Sequence, residues 1–389
     1  MRLRLATFNV ENLASRHSYG PRERPETAPA LSLFDFPEAE TRDSVEASVA
    51  VAIEDDKREL TALALAEARA DVIALQEVDN LSVLHAFFAN YVHRVCDIRY
   101  GHFRLVNGND PRGIDVAFAA RRSLLENDKK VRVKSHAEAS FADLDCYDER
   151  LRALKIEPHH KVFNRDCLEV FLELGEAELT LYLCHFKAVT ATGRTAGREG
   201  TLALRQAEAE AVRAIVMARF GNAWREANWA VLGDLNDFRE RILPSAAAEP
   251  ALPSSFDRLV EDFAVNPVNA LPPAERWTFF HRRADDDGAD LTEEHVQLDY
   301  VLLSPALAKA NPSPKVEIVR RGLPYRVPLD PAAPDRSLPY LSTRADRYPR
   351  VGWDRPAASD HCPVVVEIDV PPRPAHAGAS GQDEPARGR

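Results

Sequence analysis

Acidic, amide and imidazole residues recur at the ends of short apolar runs in this sequence. They are Asn9, Glu77, Asp115, His185, Asp234, Asn236, Asp299, Asp360 and His361. Any one of them, taken alone, is typical of a turn residue, a helix cap or a satisfied structural side chain. The set carries more weight, because strand ends are where a rigid scaffold presents catalytic groups. Asp299 lies inside an apolar run and would be costly to bury without a partner, which His361 can supply.

These residue types suit the hydrolysis of a phosphate ester. The Glu77 carboxylate and the Asn9 amide are hard oxygen ligands, which favour Mg²⁺ or Mn²⁺ over a soft metal. A metal ion and a cationic imidazole can together neutralise the charge that develops around phosphorus. Asp234 and Asn236 can take a proton from water and hold that water in line, and a second histidine can protonate the leaving oxygen. The sequence therefore predicts a divalent-metal-dependent phosphoesterase.

Short strands and a few helices must position these residues. Strands are predicted over 2–10, 71–77, 103–106, 114–120, 168–174, 179–184, 229–232, 297–303, 316–319 and 364–370. Helices are predicted over 54–69, 81–93 and 199–220. Strands outnumber strict βαβ units and no internal repeat is present, which favours a mixed-sheet α/β sandwich over a doubly wound sheet.

Composition gives no sign of a domain boundary before about residue 370. We therefore expect one domain over 1–370, with long loops or insertions near 15–45 and 322–358 and an irregular segment at 135–163. The Pro, Ala, Gly and Arg content of 371–389 predicts a disordered tail.

The formal net charge of −11 argues against a large surface that coats DNA regardless of sequence. It does not exclude an enzyme that contacts a few phosphates. The small basic groups, such as 129–134 and 320–321, are each typical of a solvated face. The five cysteines are widely spaced without a CxxC pair, which indicates buried reduced thiols. No apolar run is long enough for a membrane span or a signal peptide, so we expect a cytoplasmic protein without membrane insertion.

Five short motifs resemble those of the endonuclease/exonuclease/phosphatase superfamily and occur in its order. They are Thr7-Phe8-Asn9, Leu75-Gln76-Glu77, Gly233-Asp234-Leu235-Asn236-Asp237, Leu298-Asp299-Tyr300 and Ser359-Asp360-His361-Cys362-Pro363. The resemblance implies a four-layered α/β sandwich of two packed mixed sheets flanked by helices, as in deoxyribonuclease I, with the site at one edge of the sheets.

The resemblance also implies roles for the motif residues. Asn9 and Glu77 would help to bind Mg²⁺, or Mn²⁺ in its place, with Asp360 close to the metal. Asp234 and Asn236 would position or activate the water and contact the phosphate.

Two histidines would complete the site that the resemblance implies. His361 would contact the scissile phosphate and be oriented by Asp299. The segment 183–187 resembles the second-histidine motif of the deoxyribonuclease I-like and sphingomyelinase-like branches, which makes His185 a general acid and Asp115 a candidate carboxylate to orient it. The segment 163–166 resembles one in which an arginine contacts phosphate, and Arg165 stands at that position.

Three functions fit this pattern. The first is a nuclease acting on DNA or RNA phosphodiesters, favoured by the two histidines and Arg165. The second is a phosphatase or phosphodiesterase for a lipid or small-molecule ester, which the acidic charge balance mildly favours, although no exposed apolar docking segment supports a lipid substrate. The third is a binding protein without catalysis, which the full set of polar residues disfavours. The sequence leaves open the substrate, endonucleolytic against exonucleolytic cleavage, and one metal against two.

Overall fold

The computed structural model describes residues 1–14, 39–189, 197–242, 248–250, 253–284, 291–323, 346–352 and 356–373. The strands are β1 (Arg2–Leu13), β2 (Val72–Val78), β3 (Tyr100–Leu105), β4 (Asp115–Arg121), β5 (Val131–Lys134), β6 (Cys167–Leu174), β7 (Ala177–His185), β8 (Trp229–Asp234), β9 (Glu240–Ile242), β10 (Ala248–Pro250), β11 (Phe279–Ala284), β12 (Leu291–Val296), β13 (Asp299–Leu303), β14 (Lys315–Ile318) and β15 (Val364–Asp369). The helices are α1 (Ala39–Ala68), α2 (Leu81–Phe87), α3 (His93–Val95), α4 (Glu149–Ala153), α5 (Gly197–Phe220), α6 (Asp257–Val260) and α7 (Pro305–Ala310). A π-helical turn, Phe88–Val92, joins α2 to α3.

Two large sheets contain the strands that carry the motifs. Sheet I has the order β14-β15-β1-β2-β4-β3, and sheet II has the order β13-β8-β7-β6-β5. Each sheet is mixed: β1 is parallel to β2 and antiparallel to β15, and β7 is parallel to β8, which is antiparallel to β13. A smaller sheet with the order β10-β9-β12-β11 lies among the described residues as well.

The inner faces of sheets I and II form one shared core. Leu5 and Val72 of sheet I belong to the same buried cluster as Leu181 and Leu232 of sheet II. Because side chains alternate along a strand, Phe8 lies on the outer face of sheet I, where it packs in a second cluster with residues of α1 and α2. A third cluster joins the outer face of sheet II to α5. The layers are thus helix, sheet, sheet and helix, which confirms the predicted four-layered α/β sandwich.

The first helix is longer than the periodicity indicates. It begins at Ala39, whereas the sequence pattern predicted a helix from 54 and a loop or insertion over 15–45. Residues 39–53 carry small apolar side chains, mostly Ala and Val, that are spread over several faces of the helix, so no single apolar stripe gives a periodic signal. The rest of that insertion, 15–38, lies outside the described residues, as do most of 322–358 and 374–389 of the predicted tail.

Several short strands were missed by sequence reasoning. They are β5 and the four strands of the small sheet, which are short or polar and therefore carry no clear alternation. The segment 135–163 is irregular as predicted, apart from the short helix α4. All five cysteines are buried and free, which confirms the prediction of reduced thiols. Within the described ranges, no helix has the length and apolar character needed to cross a membrane.

Candidate active site

The register of sheet II brings three of the candidate residues to one edge. Asp234 ends β8 and pairs across the antiparallel ladder with Asp299, the first residue of β13. On its other side, Asp234 pairs with His185, the last residue of β7. Strand pairing alone therefore places two carboxyls and an imidazole side by side.

Sheet I delivers the remaining candidates to the same place. Asn9 pairs with Gln76 in the parallel ladder between β1 and β2, so it lies beside Glu77. The Ser359 hydroxyl donates to the Asn9 carbonyl at 2.7 Å, which holds the segment that leads into Asp360 and His361 against β1.

Asp234 joins the two sheets. Its Oδ2 accepts from Asn9 Nδ2 at 3.0 Å and from Asn236 Nδ2 at 3.2 Å, and its Oδ1 accepts from the Asn236 backbone N–H at 2.8 Å. Asn236 has φ +50°, which turns the chain back so that both its donors reach one carboxyl. Burial raises the pKa of Asp234 to about 6, although the nearby His361 charge acts to lower it.

His361 is held as a cation. Its Nδ1 lies 2.8 Å from Asp299 Oδ2, and its Nε2 lies 3.8 Å from Asp234 Oδ2. Burial alone would lower the pKa of His361, but the charges of Asp299 and Asp234 outweigh that cost and raise the pKa well above its ordinary value. Asp299 is steadied in turn by the Thr278 hydroxyl, which donates to its Oδ2 at 2.7 Å.

His185 is in the opposite state. Burial, followed by the charges of Arg165 and His361, lowers the pKa of His185 well below its ordinary value. Its Nε2 lies 3.5 Å from Asp234 Oδ2, and its Nδ1 has no hydrogen-bond partner among the described residues. We call His185, Asp234, Asp299 and His361 the histidine cluster. It contains one cationic and one neutral imidazole on the two sides of a single carboxyl.

Asp115 does not orient His185 in this structure. Asp115 Oδ1 instead accepts from the Gly108 backbone N–H at 2.7 Å. Burial raises the pKa of Asp115 to about 6, with smaller contributions from neighbouring aspartates. The proposed pairing rested on a motif alignment alone, and the packing of the loop at Gly108 directs the carboxyl elsewhere.

Arg165 lies behind the site and not on an open wall. Its side chain is only 2% exposed, and its Nε lies 2.8 Å from Asp110 Oδ2. Its guanidinium also donates to the Phe186 carbonyl at 2.9 Å, and the same carbonyl accepts from Asn236 Nδ2 at 3.0 Å. Arg165 thus holds the backbone at Phe186, directly after His185. Its predicted contact with substrate stays a prediction.

A second group of carboxyls lies at the edge of sheet I. We call Glu11, Glu77 and Asp360 the acidic cluster. The Asp360 side chain is 49% exposed, and Glu77 Oε2 accepts from the Asn12 backbone N–H at 3.0 Å. Burial raises the pKa of Asp360 above its ordinary value, the His361 charge acts to lower it, and the charges of Glu11 and Glu77 add to the rise. A bound divalent cation would offset the repulsion that Asp360 receives from these two carboxylates.

The donor atoms present fit Mg²⁺ or Mn²⁺. The acidic cluster and the Asn9 amide offer oxygen atoms, which hard divalent cations prefer. Among the described residues, the ligand atoms of Asp234, Asp299 and His361 form the one group that lies within 4.8 Å of one another, but His361, held as a cation, has no lone pair to give a metal ion. Glu11, Glu77 and Asp360 are more widely spaced oxygen donors, and Asn9, hydrogen-bonded to Asp234, lies between them and that group.

Sequence reasoning missed three residues that support the site: Thr278, Glu11 and Lys57. Thr278 holds Asp299, while Lys57 of α1 forms an ion pair with Glu11 at 3.1 Å. Glu11 directly follows the predicted strand 2–10, Lys57 lies within the predicted helix 54–69, and Thr278 lies in no predicted element. The only signal for Thr278 is a polar residue between Trp277 and Phe279, which is too common a pattern to single it out.

Solved structures with similar folds cover almost the whole chain. An endonuclease/exonuclease/phosphatase family protein from Bacteroides thetaiotaomicron is 13% identical, with 95% of this chain and 97% of that chain covered and a TM-score of 0.47. Truncated Caenorhabditis elegans TDP2 is 13% identical, with 94% and 97% covered and a TM-score of 0.44. SmcL is 14% identical, with 95% and 99% covered and a TM-score of 0.48. A comparison with curated proteins gave no match.

A family sequence model decides the relationship. The model described as "Endonuclease/Exonuclease/phosphatase family" matches residues 6–361, which include all five motifs except the last two positions of the final one. The name covers endonucleases, exonucleases and phosphatases, all of which hydrolyse phosphoric esters. The chain belongs to the Endonuclease/Exonuclease/phosphatase family.

Proposed function

We propose that this protein is a divalent-metal-dependent nuclease that hydrolyses DNA or RNA phosphodiester bonds by in-line attack of an activated water. One observation carries the proposal: a cationic and a neutral imidazole flank the Asp234 carboxyl, beside a set of oxygen donors that suits a hard metal ion. A phosphate diester needs charge neutralisation, a base for water and an acid for the leaving oxygen.

His361 supplies a fixed positive charge. Its raised pKa keeps it protonated at neutral pH, and Asp299 and Thr278 fix its ring. A phosphoryl oxygen that approaches Nε2 gains a charge-assisted hydrogen bond without further reorganisation of the site. Asn9, Glu77 and Asp360 would hold Mg²⁺. When bound, the ion would supply Lewis-acid stabilisation of the charge on the phosphoryl group.

Asp234 is placed to take the proton of the attacking water. Its pKa of about 6 keeps it ionised at pH 7 yet basic enough to accept a proton. Asn236 and Asn9 donate to the same carboxyl and fix the direction of its free lone pairs.

His185 is assigned as the general acid that protonates the leaving oxygen. It is neutral in the free protein because its pKa is lowered by burial and by Arg165. The negative charge of a bound phosphate acts in the opposite direction, so substrate binding raises the pKa of His185 toward the range that an acid needs.

Two observations favour a second candidate, the hydrolysis of a small phosphate ester. Arg165 is buried, and several basic side chains outside the site are paired with acids, as Lys130 is with Glu173 at 2.6 Å and Arg121 with Asp71 at 2.8 Å. With a net charge of −11, the chain therefore has little unpaired positive charge on these faces to hold a long nucleic acid.

A substrate panel separates the two candidates. Purified protein is incubated with supercoiled plasmid, single-stranded DNA, RNA, and small phosphomonoesters and diesters, each with Mg²⁺, Mn²⁺ or EDTA. Cleavage of any nucleic acid that EDTA abolishes supports the nuclease, whereas turnover of small esters alone supports the second candidate. A correctly folded protein that turns over none of these substrates would contradict both.

A further inference from the structure

We propose that Lys57 and Arg58, neighbouring cations on α1, are positioning residues for the metal ligands at the edge of sheet I. The inference rests on the proposed metal-dependent function. Neither residue belongs to a motif that the sequence singled out. Both are buried, with side chains 5% and 9% exposed, and both point at the end of β1.

The end of β1 has a strained backbone. Glu11 and Asn12 have φ values of +47° and +57°, and Glu77 on the adjacent β2 has φ +65°. Residues other than glycine rarely adopt such angles, and they persist only where the surroundings hold them. Glu11 and Asn12 are consecutive and the Asn12 N–H contacts the Glu77 carboxylate, so three such residues in this place require a specific restraint.

The two α1 cations provide that restraint. Lys57 Nζ donates to the Glu11 carbonyl at 2.9 Å and lies 3.1 Å from its carboxyl. Arg58 donates to the Asn12 carbonyl at 2.7 Å and to the Val10 carbonyl at 3.3 Å. Three consecutive carbonyls of the bent strand end are thus capped by cationic donors.

The restraint reaches the ligands through single hydrogen bonds. The Asn12 N–H, fixed by this bend, donates to Glu77 Oε2 at 3.0 Å. One turn along α1, the Thr61 hydroxyl donates to the Ala358 carbonyl at 2.6 Å, two residues before Asp360. One face of α1 therefore contacts two of the three segments that carry the predicted metal ligands, the end of β1 after Asn9 and the segment before Asp360, and reaches Glu77 through Asn12.

Charge alone predicts the opposite effect of these residues. A lysine and an arginine beside a cation site repel the metal ion, so their removal would tighten metal binding if they acted only through charge. If they act by holding the ligands in place, their removal weakens binding. The sign of the change in metal affinity therefore separates the two roles.

The experiment measures Mn²⁺ binding without substrate, by the electron paramagnetic resonance signal of free Mn²⁺. In Lys57→Met and Arg58→Met we expect the Kd for Mn²⁺ to rise about tenfold, as for other residues that orient metal ligands. Arg69→Met is the matched control, because Arg69 follows the last residue of α1 and pairs with Asp97 at the surface. Its Kd should equal that of the wild type.

Circular dichroism and thermal unfolding establish that each variant is folded. Arg58→Lys is the second variant if either methionine variant fails to fold, because it keeps the charge but lacks the two guanidinium NH2 groups that donate to the Val10 and Asn12 carbonyls. A rise in its Kd supports the proposal. Variants that bind Mn²⁺ as tightly as the wild type or more tightly overturn this inference alone. A folded wild type that binds no Mn²⁺ overturns it together with the proposed metal-dependent function.

Discussion

The histidine cluster and the acidic cluster meet at Asn9, but they are held by different means. Regular strand register positions three members of the histidine cluster, His185, Asp234 and Asp299, while the segment after Ser359 delivers His361. The members are buried: the Asp234 side chain is 1% exposed and Asp299 is fully covered. The acidic cluster lies on a bent strand end with left-handed residues, and Asp360 is half exposed. A buried site can set the protonation of its groups in advance, whereas an open site can accept an ion from solvent.

This contrast gives a division of labour that variants can test. Changes in the histidine cluster should lower turnover and leave the metal requirement as it is. Changes in the acidic cluster should first alter the metal concentration at which the protein works.

The largest effect is expected for His361→Ala. Loss of the buried cation should lower kcat about a thousandfold, because the charge that stabilises the transition state is removed from a dry site. Steady-state hydrolysis of whichever substrate the panel identifies measures this, with the exposed His159→Ala as the control. A drop of less than tenfold in kcat would show that His361 does not meet the phosphate.

Glu77→Gln should act through metal binding. We expect the apparent affinity for Mg²⁺ to fall about a hundredfold, with part of the activity regained at high Mg²⁺, because one charged oxygen donor is lost while the fold is kept. The measurement is activity as a function of Mg²⁺ concentration, and the exposed Glu157→Gln is the control. An unchanged Mg²⁺ concentration at half-maximal activity would show that Glu77 does not bind the metal ion. It would also contradict the assignment of metal binding to the acidic cluster.

Thr278→Val should lower kcat about tenfold, since a hydrogen bond to a charged acceptor contributes about 1.5–3 kcal/mol. The valine removes one of the two donors to Asp299 Oδ2 and leaves His361 as the other, so Asp299 and His361 are held less firmly, while the acidic cluster is untouched. Thr278→Ser keeps the hydroxyl and should behave as the wild type. If Thr278→Val shifted the Mg²⁺ dependence and not kcat, the two clusters would not be separable.

The smallest effect on activity is expected for Glu208→Gln. Glu208 lies on α5 behind the histidine cluster, and its carboxylate accepts from the Lys187 backbone N–H at 2.7 Å. Burial raises the pKa of Glu208 to about 7 from an ordinary value of 4.5. The folded state therefore holds a proton that the unfolded chain releases, so this stabilisation is complete below pH 4.5 and is lost as the pH rises through 7.

For the wild type, this group should lower the free energy of unfolding by about 2–3 kcal/mol between pH 5 and pH 8. Urea unfolding at both pH values measures it, and Glu208→Gln should show a smaller decrease. An equal decrease in both proteins would mean that Glu208 does not titrate as its burial predicts.

The sequence by itself determined the mixed α/β sandwich class and predicted the members of the site. Apolar residues alternate at the start of β1, whereas β7 and β8 are almost wholly buried, and a polar residue at the end of each such run lies where the strand ends. That local rule is enough to predict that each of Asp234, Asp299 and His361 lies at a strand end. Their meeting needs the packing of the two sheets, because His361 precedes β15 of sheet I while Asp234 and Asp299 belong to sheet II.

Only the tertiary structure decided the protonation states of the two histidines and the residues that support the site. It also decided which candidate residues contact partners other than the predicted ones. The opposite pKa shifts of His185 and His361 depend on burial and on charges far apart in sequence. Asp115 contacts the Gly108 backbone N–H, and Arg165 contacts the Asp110 carboxylate. Loop packing determines these neighbours, and it leaves no periodic pattern in the sequence. The contacts of Lys57 with the end of β1 exist only once α1 is docked on sheet I, and a single sequence carries no signal of that docking.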